Sequence, residues 1–205
     1  MRAPLPRLHA ITDERIARRT DLDVTARSLA DAGGPELAIH ARGRELSGLQ
    51  HFDLAFRLSV LPSYLFVNDR LDIALAVPAA GVQLGSSSLP VAAARALNPR
   101  WWIGRSVHDL AGAEAASAEG ADYLVVGPVY ATASHPSRKP LGLEQLRKIA
   151  TAAGDVPVIA IGGITVNRVG DVRTSGAYGI AAIRAFWDDA EPAQTVRRMR
   201  EEWVA

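Results

Sequence analysis

Short apolar runs alternate with longer segments of helical spacing from one end of the chain to the other. Residues 8–12, 36–41, 64–67, 81–84, 101–104, 122–126, 156–161 and 179–183 are brief and nearly continuous in apolar character. Such runs predict strands buried on both faces, as in a parallel sheet. Residues 22–32 place Leu22, Thr25, Ala26 and Leu29 at helical spacing and stop at Gly33-Gly34. Residues 45–60 carry Leu46, Leu49, Phe52, Phe56 and Val60, again a helical pattern. Shorter helices are expected over residues 70–77, 90–97, 143–153 and 166–175, and a closing one over 192–203. Pro90 suits a first helical position. Asp109 caps an alanine-rich segment that Gly120 ends. Eight strand–helix units fill the 205 residues with no strand left over. That predicts a (β/α)₈ barrel in one domain, residues 1–205. An open doubly wound sheet is the alternative.

A barrel of this kind works at the C-terminal ends of its strands. The polar residues there are His40, Arg42 and Arg44 after the second strand and Asn68 and Asp69 after the third. Gln83 and the serines 86–88 follow at the fourth strand, then Arg105, Ser106 and His108 at the fifth. The sixth loop carries Thr132, Ser134, His135, Arg138 and Lys139, the seventh Gly162-Gly163, and the eighth Ile183-Arg184. Cations, hydroxyls and glycines with a single carboxylate suit an anionic, phosphorylated small molecule. They do not suit a glycosidase, which needs paired carboxylates.

Residues 156–186 organise this picture. Gly162-Gly163 lets backbone N–H groups approach an anion, a helix is expected to follow at once, and Arg184 adds a cation beside it. Each residue also has a plain structural role available. Gly162-Gly163 can serve simply to turn the chain. Asp69 can serve as a helix N-cap, and His40 as a satisfied histidine of the barrel interior. Arg42 and Arg44 can be solvated charges, His108 part of a helix cap, and His135 plain surface. Trp101-Trp102 reads as packing, and His9 and His51 as structural.

Composition narrows the classes. The formal net charge of +1 argues against nucleic acid as a partner. There are no cysteines, which removes disulfides and thiolate chemistry and fits a cytoplasmic protein. No apolar run approaches the roughly 20 residues of a membrane span, and the first residues lack a secretory core.

The residues resemble the thiamine-phosphate synthase and thiazole tautomerase (TenI-like) superfamily along the whole chain. The resemblance rests on LHAITD (8–13), VNDRLDIA (67–74), GVQLG (81–85), IGRSVH (103–108), ADY (121–123) with GPVY (127–130), and AIGGI (160–164). It implies a (β/α)₈ barrel whose last loops hold a thiazole phosphate. Thr132, Ser134, Gly162, Gly163, Ile183 and Arg184 fall on those positions, with Arg42, Arg44, Asn68 and Ser106 as further binding candidates. The synthase branch joins a pyrimidine pyrophosphate to the thiazole phosphate with Mg²⁺. Its Gln-x-Arg-Glu-Lys run reads His40-Ala41-Arg42-Gly43-Arg44 here. Of its metal aspartates, one is Asp69 and the other falls on or near Ser88; its sixth-loop lysine falls on His135.

These departures, with the segments around His40 and residues 105–108, point to the tautomerase branch and predict weak or absent synthase activity. Tautomerisation is acid–base work without a metal cofactor. The histidine proposed for it in the family falls on Pro128, so His40 and His135 become the catalytic candidates. His40 is expected to point its ring into the barrel mouth with Arg42 on the same face, which would keep the imidazole neutral. Synthase activity, with Asp69 on Mg²⁺, and a non-catalytic phosphate-binding barrel are the alternatives. The expected partners are a small-molecule thiazole phosphate and, as the one assembly entertained, a second copy in a homodimer.

Overall fold

The computed structural model describes residues 2–134 and 137–205. Eight parallel strands close into a barrel: β1 Leu8–Ile11, β2 Leu37–Ala41, β3 Tyr64–Asn68, β4 Gly81–Leu84, β5 Trp102–Val107, β6 Tyr123–Val126, β7 Val158–Ile161 and β8 Gly179–Ala182. Each strand pairs with the next, and β8 returns to β1 through Leu8 opposite Ile180. The expected barrel is present.

Strand alternation divides the core into two layers. Outward residues such as Leu8, Ile39, Val67, Leu124 and Ile180 pack beneath the helices. Inward residues, among them Ile11, Ala38, Phe66, Tyr123 and Ile159, fill the barrel. The two inward aromatic rings need space that neighbouring strands leave free. A Cβ on Gly81 would meet Phe66 Cε1 at 2.5 Å, and one on Gly104 would meet Tyr123 Cζ at 2.1 Å. The same alternation stacks His40 of β2 beneath Arg42 just past its end, and Phe66 beneath Asn68 on β3, toward the C-terminal mouth.

The helices are α1 Glu14–Ala17, α2 Leu22–Gly33, α3 Gly48–Ser59, α4 Leu71–Ala76, α5 Val91–Leu97, α6 Leu110–Ala118, α7 Gly142–Ala153, α8 Val169–Thr174, α9 Arg184–Trp187 and α10 Pro192–Val204. Three details differ from the sequence reading. In α3 the buried face is His51, Leu54, Ala55 and Leu58, while Leu49, Phe52, Phe56 and Val60 are exposed. Both stripes have helical spacing, so periodicity alone selects neither. The start of α3 is fixed by Ser47 and Gln50, which form a reciprocal capping box. After β7 no helix follows at once: Ile164-Thr165 leads into a 3₁₀ turn, Val166–Arg168, and only then into α8. The short helices α1 and α9 have too few residues to show a period.

Candidate active site

A cavity of about 550 Å³ opens at the C-terminal mouth of the barrel. Arg42, Arg44, Asn68, Ser106, Thr132, Ser134, Gly162, Gly163, Ile183 and Arg184 all line it. Loops far apart in sequence therefore meet around one space. Asn68, Gln83 and Ser106 form its polar floor from the inward ends of β3, β4 and β5. Gln83 Nε2 donates to Ser106 Oγ at 2.9 Å, and its Oε1 is buried with no partner among the described residues.

One wall is an anion-sized corner. Gly162 and Gly163 have φ of 102° and 64°, the left-handed region that favours glycine. A Cβ on Gly162 would lie 2.6 Å from Pro128 Cβ, and one on Gly163 2.5 Å from the Ala131 carbonyl oxygen. Beside them, after the neighbouring strand β8, α9 begins at Arg184. Among the described residues the backbone N–H groups of Gly163, Arg184 and Ala185 donate to no protein acceptor. A short extra helix after the eighth strand with free N–H groups is a recurrent barrel phosphate site. Arg168 shapes the corner: it donates to the Gly163 carbonyl at 2.6 Å and lies 4.3 Å over the Tyr130 ring.

The part of the mouth after β2, two strands round from β8, is also cationic. Arg42 is half-buried and its backbone is held by Thr12, whose Oγ1 donates to the Arg42 carbonyl at 2.9 Å. Its guanidinium has no ion-pair partner among the described residues. Burial, and then the like charge of Arg44, lower its pKa. Arg138 completes a set of five lining arginines with Arg42, Arg44, Arg168 and Arg184, and among the described residues no Asp or Glu joins them.

Asp69 stands just outside this lining. It is the one non-glycine residue with positive φ, 62°, among those described. It does not cap α4, whose N-cap is Arg70. Its Oδ1 accepts from the Gly85 N–H at 2.9 Å and from the Ser88 hydroxyl, which ties the β3 and β4 loops together. Ser88, on or near the position expected for a second metal aspartate, thus donates to Asp69. Among the described residues no cluster of three or more His, Cys, Asp or Glu is arranged for a metal ion.

His40 departs from expectation. Its ring does not reach the mouth; it has no solvent exposure and does not line the cavity. Its Nε2 is 2.8 Å from His9 Nδ1, its Nδ1 is 3.0 Å from Asn68 Oδ1, and Phe66 stacks on it. Burial lowers its pKa to about 4, with Arg42 a smaller contribution in the same direction. The sequence reading named the smaller cause and missed the larger one. His135 lies outside the described residues. His108, expected either at the mouth after the fifth strand or in a helix cap, lines the cavity. Asp109 makes the cap, accepting from Gly112 N–H at 2.7 Å. His108 Nδ1 donates to the Gly127 carbonyl at 2.6 Å, so a neutral ring offers Nε2 as a lone pair. Arg168 carried no signal in the sequence, because its segment read as ordinary helix.

The geometry can be set beside known proteins. The thiamine monophosphate synthase profile matches residues 8–186. The chain belongs to the thiamine monophosphate synthase family. A relative called thiamine-phosphate synthase, from Methanoculleus marisnigri, is 40% identical over 97% of this chain and 95% of its own. Another of that name, from Salinispora arenicola, is 42% identical over 93% of each. Among solved structures, thiamine phosphate pyrophosphorylase from Pyrococcus furiosus superposes with a TM-score of 0.83 and 31% identity, over 97% of this chain and 95% of its own. A 3-hexulose-6-phosphate synthase from Salmonella typhimurium, at 15% identity and a TM-score of 0.76, shares the family's fold.

Proposed function

We propose that this chain is a thiamine-phosphate synthase. The carrying observation is a single cavity lined by five arginines, which come from loops after four different strands, with no carboxylate on its lining among the described residues. That arrangement suits two anionic substrates held together in one mouth. The corner of Gly162, Gly163 and Arg184, with the Thr132 and Ser134 hydroxyls, would hold the thiazole phosphate. Arg42 and Arg44 would hold the pyrophosphate of the pyrimidine substrate. Arg44 keeps a cation where the family motif has lysine. The relatives of 40% and 42% identity carry the synthase name, which favours this reading over the tautomerase expected from the sequence.

The chemistry fits the groups present. The thiazole nitrogen lone pair forms a bond to the pyrimidine methylene carbon, and the carbon–oxygen bond to pyrophosphate breaks with its electron pair on the leaving oxygen. No proton must move between the reacting atoms. What the step requires is positive charge where the leaving group gains negative charge, and fixed arginines supply it without reorganisation. Mg²⁺ is the family's cofactor, and Mg²⁺ sites commonly use one or two carboxylates with substrate phosphates and water. Asp69 fits as that one carboxylate, beside the Arg42 wall. When bound, the ion would add charge neutralisation at the pyrophosphate.

A second reading, tautomerase activity, keeps one observation in its favour. His108 lines the cavity with its Nδ1 held by the Gly127 carbonyl, and aromatisation by proton transfer needs an imidazole so placed. The discriminating experiment supplies purified protein with either substrate set and measures both products. Under the synthase reading, thiamine phosphate forms and Asp69→Asn lowers its rate at limiting Mg²⁺. Aromatised thiazole phosphate as the sole product, abolished by His108→Asn, would install the tautomerase reading instead.

A further inference from the structure

Two buried histidines beneath the cavity are used by neither chemistry. His9 of β1 and His40 of β2 have no solvent exposure. They form a chain with three links. His9 Nε2 is 2.9 Å from the Pro6 carbonyl oxygen, His9 Nδ1 is 2.8 Å from His40 Nε2, and His40 Nδ1 is 3.0 Å from the Asn68 amide. Asn68 in turn lines the cavity.

The proton order along this chain can be counted. A carbonyl only accepts, so His9 carries its proton on Nε2 and donates to Pro6. A neutral His9 then has a lone pair at Nδ1, and His40 must donate to it from Nε2. A neutral His40 is left with a lone pair at Nδ1, and Asn68 must donate to that. The structure draws Asn68 Oδ1 toward His40, but the two ends of an amide are assigned from their network. Oδ1 in that place requires one extra proton in the chain, a buried imidazolium. The groups facing the pair are Phe66 and Asn68 from β3, Tyr123 from β6 and Arg42 one layer up, just past β2. None is a carboxylate, so that charge would be buried without a counter-ion. Burial holds both imidazoles well below their usual pKa, consistent with the neutral chain.

We propose that the Pro6–His9–His40 chain fixes the Asn68 amide with its NH₂ inward and its carbonyl oxygen toward the cavity, so that Asn68 reads a hydrogen-bond donor on the ligand. A ligand anion at the same point would need the amide turned and one proton taken up by the pair. His9 and His40 are positioning residues in this account. The identity of the ligand rests on the synthase reading; the proton order does not.

Long-range ¹H–¹⁵N correlation of imidazole resonances in the ligand-free protein reads the tautomers directly. His9→Leu and His40→Leu assign the two rings. His108, whose Nδ1 donates to Gly127, supplies the opposite pattern as an internal contrast. Both His9 and His40 should be neutral and protonated at Nε2 near pH 7. Nδ1 protonation of His40, or a doubly protonated ring in the pair, would overturn the proposal. Asn68→Asp gives a second arm, because a carboxylate only accepts. It should drive Nδ1 protonation of His40 and leave one added proton on the pair. Unchanged neutral Nε2 tautomers in that folded variant would also overturn it, whatever the enzyme's reaction proves to be.

Discussion

At the scale of single residues, the site separates groups that hold the fold from groups left free for a ligand. Gly163 does both, since a side chain there meets left-handed φ and the Ala131 backbone at once. Replacing it would disturb the turn along with any anion, so the glycine is a poor probe. Arg184 is the cleaner one: it lines the cavity and makes no ion pair among the described residues. Hydrogen bonds to a charged group contribute about 1.5–3 kcal/mol. Arg184→Ala should therefore raise the Kd for thiazole phosphate on the order of 10- to 100-fold with the melting temperature kept. Titration calorimetry checks the first and thermal unfolding the second; unchanged affinity would remove Arg184 from the site.

The buried His40 makes a separate prediction about stability. Its folded pKa, about 4, lies below the usual 6.5 because burial disfavours the charged ring. Between those values the unfolded chain binds the proton and the folded one does not. Unfolding free energy therefore falls as pH falls through that window, at about 1.4 kcal/mol per unit, or about 3 kcal/mol in all. Above about pH 6.5 the contribution is complete and flat. Urea titrations at about pH 7 and about pH 5 measure it. His40→Gln should reduce the slope while buried His9 keeps its own share, and an unchanged slope in that variant would assign it to other groups.

At the scale of elements, α3 offers the sharpest test because its two apolar stripes compete. Leu54 is buried and Phe56 is exposed. Leu54→Ala should cost about 2–5 kcal/mol by leaving a cavity. Phe56→Ser should stay within about 0.5 kcal/mol. Denaturant midpoints read both, and the reverse ranking would show that α3 packs by its other face. The strands were legible because a residue run buried on both faces is apolar throughout, and their order followed from short right-handed connections. The orientation of α3 was not legible, because the stripe that wins does so by fitting β2 and β3. The site was legible as a set of strand ends, down to Arg42, Asn68 and Arg184. The depth of His40 was not: alternation shows that a residue points inward but not how far below the mouth its layer sits. The Asp109 cap was legible, and His108 was legible as a strand-end residue, although spacing left open whether it lined the cavity or joined the cap.

At the scale of the molecule, one barrel gathers cations from loops after strands two, six, seven and eight into a single mouth. The tautomerase expectation grew from Ser88 and His135 at family metal and lysine positions, and from His40 as a base. His40 lies under the cavity floor, and Ser88 serves Asp69 as a hydrogen-bond donor. The arginines after β2 and those near β7 and β8, sharing one cavity of about 550 Å³, are the feature that survives this revision and that the synthase reading explains. The most direct measurement is pyrophosphate release by purified protein given Mg²⁺ with the pyrimidine pyrophosphate, with and without thiazole phosphate. The account predicts release that depends on thiazole phosphate and matches thiamine phosphate formed mole for mole. Saturable binding of thiazole phosphate with no coupled release would contradict it.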